Sequence, residues 1–288
     1  MFGRAMAATP EVRVSFLADP NRAEKLRSHG VTVNGESIHL PVVKDDATEP
    51  PDLLLVALKH HHLQAGIDLA RPYVGSATAI ISVMNGIESE DSLSEAFGRE
   101  HVVHTVAVGM DAVRDGLSVN YSRMGRLLIG RGYRQTSTAT VARVSAFLKK
   151  CDIAHEVRED VLRAIWDKFM LNVGINQLSA VLSAPYAVFQ RDESAKRLLR
   201  SAMLEVVAVA GAEGIDLHAT DIEPWFDIVA TLSPEGKTSM LQDVSAGRKT
   251  EVEMLAGKVV ELGKKHIIPT PLNEALLEMI RIKEGMAS

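Results

Sequence analysis

The sequence is poor in residues and segments that mark several common protein classes. Its 288 residues include a single cysteine, Cys151, which excludes an intrachain disulfide framework and a cysteine-rich zinc site. No stretch approaches the roughly 18 consecutive apolar residues that a membrane span requires, and residues 1–8 lack the long apolar core of a signal peptide. We therefore expect a soluble, cytoplasmic protein without a membrane partner.

Basic charge is also limited. The 32 Lys and Arg residues are outnumbered by 37 Asp and Glu residues, whereas a nucleic-acid binder needs a concentrated basic face. The apolar fraction of 46% is high enough for a packed core and excludes a disordered chain. A length of 288 residues allows roughly two domains of ordinary size. These values predict a globular protein that does not bind nucleic acid.

Short apolar runs alternate with helix-like segments in the first 160 residues. The runs typical of strands are Val12–Leu17, Val31–Val43 with a turn at Asn34-Gly35, Leu53–Leu58, Ala79–Met84 and Val102–Val108. The helix-like segments between them are Arg22–Ser28, His60–Tyr73 and Glu88–Phe97. Continuous apolar runs separated by helices are typical of βαβ crossovers. The pattern predicts a mostly parallel, doubly wound, Rossmann-like sheet.

The pattern of apolar residues changes from strand-like to helical at about residue 161. Long helical patterns then follow one another: Val161–Leu182, Glu193–Ala212, Ile222–Thr231, Thr250–His266 and Leu272–Lys283. The predicted architecture is therefore an α/β domain of residues 1–160 followed by an all-α domain of residues 161–288.

The sequence lacks the glycine-rich loop that binds phosphate groups in many α/β domains. An α/β domain followed by helices suggests a dinucleotide enzyme, but no G-x-G-x-x-G follows a first strand. Gly130-Arg131-Gly132 is a lone G-x-G that we interpret as a loop, and residues 3–8 resemble the inside of a helix. We expect an incomplete α/β domain that lacks its first strand and glycine loop. A truncated, non-catalytic binding or scaffold protein is the alternative that this deficit leaves open.

Three polar residues lie on one face of the predicted helix Val161–Leu182. Lys168, Asn172 and Asn176 are spaced by four, so they form one stripe within the apolar sector. Unpaired polar groups on such a face cost free energy, so something must satisfy them. Either the lysine extends to solvent and the amides bond neighbouring helices, or an amine and two amides face a polar ligand.

A second polar segment runs from Thr238 to Asp243 and from Gly247 to Glu253. Thr250 and Glu253 fit a capping box, which would place Glu251 in the first turn of a helix, where the dipole favours a carboxylate. Capping is a purely structural explanation of this segment.

Further candidates follow the apolar strands. Asp19, Lys59 and Asn85-Gly86 stand at predicted carboxyl ends, where open α/β sheets bind ligands, although turn chemistry also explains them. The run His60-His61-His62 does not predict a metal site, because adjacent helical residues point in different directions. Cys151 is a lone cysteine, and we expect it to be inert.

Six segments together resemble the ketopantoate reductase (2-dehydropantoate 2-reductase) family. They are LLLVALK (53–59), VMNGIES (83–89), DAVRDG (111–116), IWDKFMLNVGINQLSA (165–180), SMLQDVSAGRKTEVE (239–253) and IPTPLNEAL (268–276). They cover most of the chain in the right order. The resemblance implies an NADPH-dependent oxidoreductase that reduces a 2-keto acid, ketopantoate, to pantoate in pantothenate and coenzyme A biosynthesis. It also implies 6-phosphogluconate-dehydrogenase-like C-terminal helices.

The resemblance also implies roles for individual residues. It places cofactor binding in residues 1–160, and substrate binding and catalysis in residues 161–288. Lys168 resembles the family's proton donor, and Glu251 beside it would oppose the effect of desolvation on the lysine pKa. The substrate-side positions are Asn85, Asn172, Asn176 and Ser239. The cofactor-side positions are Asp19, Arg22, Lys59, Asn85, Ala112 and Glu251.

Some choices stay open. Asp19 would suit the free ribose hydroxyl of NAD(H), whereas Arg22 would suit the extra phosphate of NADP(H). Tyr186 stands where relatives often carry a small or amide residue, so the acyl pocket could differ, and a related nicotinamide-dependent 2-hydroxy acid dehydrogenase is the nearest alternative. The sequence does not decide whether the chain forms a homodimer.

Overall fold

The computed structural model describes residues 1–43 and 49–287. The chain forms two compact units, Met1–Val161 and Leu162–Ser288, called here the first and second unit. Among the described residues, the first unit contains nine strands: β1 (Val31–Val33), β2 (Glu36–Ile38), β3 (Leu53–Val56), β4 (Ala79–Ser82), β5 (Val102–Val108), β6 (Val113–Asp115), β7 (Ser118–Asn120), β8 (Arg126–Gly130) and β9 (His155–Arg158). Its helices are α1 (Phe2–Ala7), α2 (Pro20–His29), α3 (Leu63–Ala70), α4 (Ser89–Phe97) and α5 (Thr138–Lys150).

The main sheet has the order β3-β4-β5-β8-β9. Strands β3, β4 and β5 are parallel, as the apolar runs predict, whereas β8 is antiparallel to β5. One apolar cluster joins the sheet to α1 and α5, and another joins it to α3 and α4. Helices therefore cover both faces, which explains why β4 is buried along its whole length. The predicted Rossmann-like α/β fold is confirmed.

A second, four-stranded sheet has the order β2-β1-β7-β6. Its first hairpin turns at Asn34 and Gly35, which both have positive φ (49° and 81°), as a two-residue hairpin turn requires. The second hairpin, β6–β7, joins the first through the parallel pair β1–β7, and its strand β6 is exposed. Its short, polar strands carry no apolar pattern from which it could be predicted.

The predicted strand Val12–Leu17 is wrong for most of its length. Only Phe16 forms a ladder contact, an isolated parallel bridge to Val42. The Phe16 N–H donates to the Pro41 carbonyl at 2.7 Å, and the Val43 N–H donates to the Phe16 carbonyl at 2.8 Å. Strand propensity needs a neighbouring backbone to become a ladder, and among the described residues this segment has one for a single residue. The interpretation of Gly130–Gly132 as a loop is wrong at Gly130, which ends β8.

The second unit is entirely helical, as predicted. Its helices are α6 (Val161–Leu182), α7 (Tyr186–Arg191), α8 (Glu193–Ala212), α9 (Glu223–Thr231), α10 (Ser239–Ser245), α11 (Lys258–His266) and α12 (Pro271–Ala287), with a π-helical turn at Glu253–Gly257 and a 3₁₀ turn at Ala219–Ile222. Helices α7 and α10 are not among the predicted helices, because they are too short to show a periodic apolar face. Within the described ranges, no helix is both long enough and apolar enough to cross a membrane.

Close packing of α6 on α8 forms the core of the second unit. A Cβ atom built at Gly174 in α6 would lie 2.6 Å from Leu199 Cδ1 and 2.9 Å from Met203 Cγ in α8. Leu199 and Met203 are fully buried. Glycine is therefore required where the two helices approach each other, and α6 is fixed in place by this contact.

Candidate active site

Three of the predicted cofactor-side residues follow neighbouring parallel strands of the first unit. Lys59 follows β3, Asn85 follows β4 and Ala112 follows β5. Because the carboxyl ends of adjacent parallel strands lie on the same edge of a sheet, the fold places these three positions along one edge. Lys59 and Asn85 are half-buried, whereas Ala112 is exposed. This edge is the one at which open α/β sheets bind ligands.

Asp19 and Arg22 lie at the start of α2. The Asp19 carboxylate accepts a hydrogen bond from the Arg22 backbone N–H at 3.0 Å and thereby caps the helix. Burial, together with the nearby positive charge of Arg22, lowers the pKa of the Arg114 guanidinium in β6. Arg114 lies two residues after Ala112. Because the charge of Arg22 acts on Arg114, α2 adds the Arg22 guanidinium to this part of the first unit. A bound anion near these residues would offset the positive charge of both guanidinium groups.

This set of donors fits an anionic dinucleotide. The positive charges of Arg22 and Arg114 and the half-buried Lys59 suit phosphate groups, and the amide of Asn85 can both donate and accept hydrogen bonds. The residues suit a metal ion less well. His60, His61 and His62 form a single 3₁₀ turn, and in the part of the chain that the structure describes no group of three or more His, Cys, Asp or Glu residues could hold a metal ion.

The polar stripe predicted on α6 is present. Lys168 and Asn172 are half-buried and Asn176 is buried, while Ile165, Phe169 and Val173 on the same side are packed in the core. The helix begins at Val161 and ends at Leu182, so all three polar residues lie in regular helix. Their spacing of four residues keeps the side chains on one face.

Lys168 and Glu251 interact within the second unit. Burial lowers the pKa of the Lys168 ammonium to about 8, and the negative charge of Glu251 acts in the opposite direction. Since desolvation is the larger effect, the lysine gives up its proton far more readily than an exposed lysine. An amine with a pKa of about 8 is suited to proton transfer near neutral pH.

The segment that carries Glu251 is not the capped helix that the sequence predicts. The Thr250 N–H and hydroxyl both donate to Glu284 Oε1, at 2.7 and 2.6 Å. Glu253 forms an ion pair with Arg281 at 2.8 Å instead of closing a capping box with Thr250. Glu251 therefore precedes the π-helical turn Glu253–Gly257 and lies outside the first turn of α11. The reciprocal box does not form, because Thr250 Oγ1 accepts from the Val252 N–H at 3.2 Å instead of the Glu253 N–H, and the Glu253 carboxylate pairs with Arg281 of α12.

Gln177 holds the π-helical turn against α6. The Gly257 N–H bonds the Val252 carbonyl, five residues back, and the Ala256 N–H donates instead to Gln177 Oε1 at 3.1 Å. Gln177 Nε2 donates to Asn273 Oδ1 at 3.2 Å. Gln177 and Glu284 are not among the residues predicted for the site. The sequence signal for Gln177 is its place directly after Asn176 in the predicted helix. No feature of the sequence indicates a role for Glu284.

Ser239 is the first residue of α10 and is exposed. The Thr238 hydroxyl caps the helix by accepting from the Leu241 N–H at 3.2 Å. Arg248 donates to the buried Asp243 carboxylate at 2.9 Å, so the aspartate and arginine of the SMLQD…GR segment fold its loop back onto α10. The Ser239 hydroxyl is thus displayed at a helix start whose conformation is fixed by its neighbours.

Two family models match the chain. The model described as "Ketopantoate reductase PanE/ApbA" matches residues 1–133, and the model described as "Ketopantoate reductase PanE/ApbA C terminal" matches residues 160–284. Similar curated proteins named 2-dehydropantoate 2-reductase include that of Pyrococcus abyssi, 26% identical over 99% of this chain and 94% of that protein. That of Halobacterium salinarum is 30% identical over 83% of this chain and 79% of that protein.

Solved structures have the same fold. D-mandelate dehydrogenase with NADH and anilino(oxo)acetate has a TM-score of 0.89 at 20% identity, covering 99% of this chain and 95% of that chain. 2-Dehydropantoate 2-reductase from Geobacter metallireducens has a TM-score of 0.84 at 26% identity, covering 100% and 95%. A dimeric ketopantoate reductase from Staphylococcus aureus has a TM-score of 0.72 at 23% identity, covering 85% and 81%.

Proposed function

Because the chain belongs to the ketopantoate reductase family, a family of oxidoreductases, we propose that it reduces ketopantoate to pantoate with NADPH. The observation that carries the proposal is the Lys168 ammonium, whose pKa burial lowers to about 8, on one helix face with Asn172 and Asn176. That combination supplies a proton donor and two hydrogen-bonding amides for a small polar acid.

The mechanism assigns a task to each residue of the stripe. A bound nicotinamide would supply the hydride that reduces the keto carbon. Lys168 Nζ stabilises the negative charge that develops on the carbonyl oxygen and then protonates that oxygen. Asn172, Asn176 and the exposed Ser239 hydroxyl hold the hydroxyl and carboxylate groups of the substrate. Glu251 keeps Lys168 protonated until the proton is needed.

The direct test is a titration of the 288-residue chain with NADPH and NADH, followed by fluorescence, with and without ketopantoate. We expect saturable binding and ketopantoate-dependent oxidation. Lys168→Ala should lower kcat at least about a hundredfold, because general acid catalysis contributes at least that much. Lys196→Ala is the control, since Lys196 is a surface residue paired with Glu193. Near-full activity of Lys168→Ala would contradict the mechanism.

For the cofactor, we propose that NADP(H) contacts Lys59, Asn85, Ala112, Arg22 and Arg114 of the first unit. The extra phosphate of NADP(H) suits two neighbouring guanidinium groups. Asp19 Oδ1 caps α2, and the choice between Asp19 with NAD(H) and Arg22 with NADP(H) is the one that the next experiment tests.

Arg22→Ala should weaken NADPH binding about tenfold or more and leave NADH binding nearly unchanged, since only NADPH carries the second anionic group. Dissociation constants for both dinucleotides measure this difference. Arg27→Ala, in the last turn of the same helix, is the control. Equal losses for NADPH and NADH would contradict the preference for NADP(H).

Tyr186 favours a second candidate substrate, a 2-keto acid with a different side chain. Its half-buried ring packs against Gly236, where an added Cβ would lie 2.9 Å from Tyr186 Cδ2, and Gly236 is three residues before Ser239. An aromatic ring beside this loop alters the space for an acyl group. The assay therefore includes pyruvate, 2-ketoisovalerate and phenylglyoxylate, and the highest kcat/KM identifies the preferred acid.

We also propose a homodimer. Met279, Ile282 and Met286 are spaced by three and four residues on α12 and are 47%, 62% and 82% exposed, so they form an apolar stripe on one helix face. Stripes of this kind are commonly buried between proteins. The dimeric ketopantoate reductase of Staphylococcus aureus supports a second copy of this chain as the occupant.

A further inference from the structure

A buried carboxyl group lies in the helix that follows the loop carrying Asn85. Glu90 stands in the first turn of α4 and is only 4% exposed. Burial raises the pKa of Glu90 to about 7, against the opposing effect of hydrogen bonds from the Ser89 side chain and from the backbone groups of Glu90 and Thr105. A buried carboxyl group is costly, so its position calls for an explanation.

A chain of hydrogen bonds runs from Glu90 to the end of β4. Ser89 Oγ lies 2.8 Å from Glu90 Oε2 and 2.8 Å from Ser82 Oγ. The Ser89 hydroxyl is placed to donate to either oxygen and, having one proton, donates to one of them at a time. The Met84 N–H donates to Ser82 Oγ at 3.3 Å, which ties the start of the following loop to the same chain of groups.

These hydrogen bonds fix both ends of the loop of residues 83–88. Ser82 ends β4 and Ser89 begins α4, and both serines are buried. Between them the chain reverses through Gly86, whose φ of +93° suits glycine, and it displays the half-buried Asn85 at the carboxyl edge of the sheet. Because the Ser89–Ser82 contact joins its two ends and Glu90 holds Ser89, the loop has little freedom to place Asn85 elsewhere.

The neighbouring carboxylate, Asp91, is bonded outside the group formed by Glu90, Ser89 and Ser82. Asp91, the next residue of α4, accepts a hydrogen bond from the Tyr133 hydroxyl, and its charge contributes least of the effects on the Glu90 pKa. Thr105 in β5 contacts the Glu90 carboxyl group through its backbone, so the cluster also joins the adjacent strand. Glu90 therefore connects β4, the loop, α4 and β5 at one point.

We propose that Glu90 is a positioning residue for the dinucleotide: through Ser89 and Ser82 it fixes the loop that places Asn85 against the bound cofactor. This inference rests on the proposed function, because it requires Asn85 to contact the dinucleotide. A merely structural role would lower stability without any coupling to Asn85.

The test is a double-mutant cycle on the full chain, with the dissociation constant of NADPH as its readout. Asn85→Ala and Glu90→Ala should each weaken binding about tenfold, and the double variant should bind about as weakly as Asn85→Ala alone, because both changes remove the same contact. Glu90→Gln keeps an oxygen that accepts from Ser89, so it should recover most of the affinity. Ser94→Ala is the control, since Ser94 is a buried serine of α4 one turn beyond Ser89–Glu90.

The outcomes separate this inference from the proposed function. If the wild-type chain binds NADPH and the two substitutions are additive, Glu90 does not act through Asn85 and the inference is overturned alone. If the wild-type chain binds neither NADPH nor NADH, the proposed function fails and the inference fails with it. Urea unfolding checks that each variant is folded. Ser89→Ala replaces Glu90→Ala in the cycle if the latter does not fold.

Discussion

At the scale of single residues, Lys168 shows how one side chain receives opposing influences. Burial favours the neutral amine, and the Glu251 carboxylate favours the ammonium, which leaves the pKa of Lys168 at about 8. The spacing of Lys168, Asn172 and Asn176 was readable in the sequence, because residues four apart share a helix face. The size of the change in the Lys168 pKa could not be read from the sequence, since it depends on how much protein surrounds the amine.

Glu251→Gln should move the basic limb of the pH profile to lower pH. Reduction needs the ammonium form of Lys168, so kcat/KM should fall as the pH rises through about 8. Removing the negative charge of Glu251 removes the effect that raises the Lys168 pKa, so the fall should begin at lower pH. The measurement is kcat/KM between about pH 6 and pH 10. A basic limb in the same place would show that Glu251 does not act on Lys168 during turnover.

At the scale of elements, the π-helical turn Glu253–Gly257 shows how one helix shapes another. Within it the Ala256 N–H is satisfied by Gln177 of α6 rather than by its own helix. Helical turns of this type often occur next to functional sites, and this one follows Glu251 by two residues.

Gln177→Leu should therefore lower the free energy of unfolding by about 1 to 3 kcal/mol, because it leaves the buried Ala256 N–H without its partner. It should also lower kcat/KM, since the segment after Glu251 loses its anchor. Urea unfolding and steady-state kinetics measure the two effects. Gln64→Leu, an exposed glutamine paired with Asp68 on α3, is the control. Unchanged stability would mean that the Gln177 contact is dispensable.

At the scale of the whole molecule, the chain consists of two compact units with different architectures. The α/β unit presents Lys59, Asn85 and Ala112 along one sheet edge, and the helical unit carries Lys168 and Glu251. The assignment of cofactor binding to residues 1–160 and of substrate binding and catalysis to residues 161–288 remains a prediction. In the proposed dimer, two copies of the chain would contact each other through α12.

Ile282→Glu should convert the proposed dimer into a monomer. A carboxylate in the middle of the stripe formed by Met279, Ile282 and Met286 would have to be desolvated in the interface. Size-exclusion chromatography with light scattering gives the mass of each variant. Ile267→Glu is the control, because Ile267 is 91% exposed and lies outside α12. A wild-type chain that is already monomeric would contradict the proposal.

Local order in the sequence determined a large part of the fold. The bounds of β5, α6 and α8 follow from apolar runs and helical periodicity, and the hairpin turn at Asn34-Gly35 follows from residues that tolerate positive φ. These features depend on interactions between residues close in the chain. The placement of Lys59, Asn85 and Ala112 along one sheet edge also follows from the sequence, because the apolar runs before them predict parallel strands.

Only the tertiary structure decided which distant groups meet. The antiparallel course of β8, the pairing of β1 with β7, and the replacement of the Thr250–Glu253 capping box by contacts with Glu284 and Arg281 all depend on partners far away in the chain. The same is true of the Gln177 contact with Ala256. Periodicity reports which face of an element is apolar, whereas a hydrogen bond depends on distance in three dimensions. The sequence therefore determined the elements and the candidate site residues, and the packing decided how those residues are held.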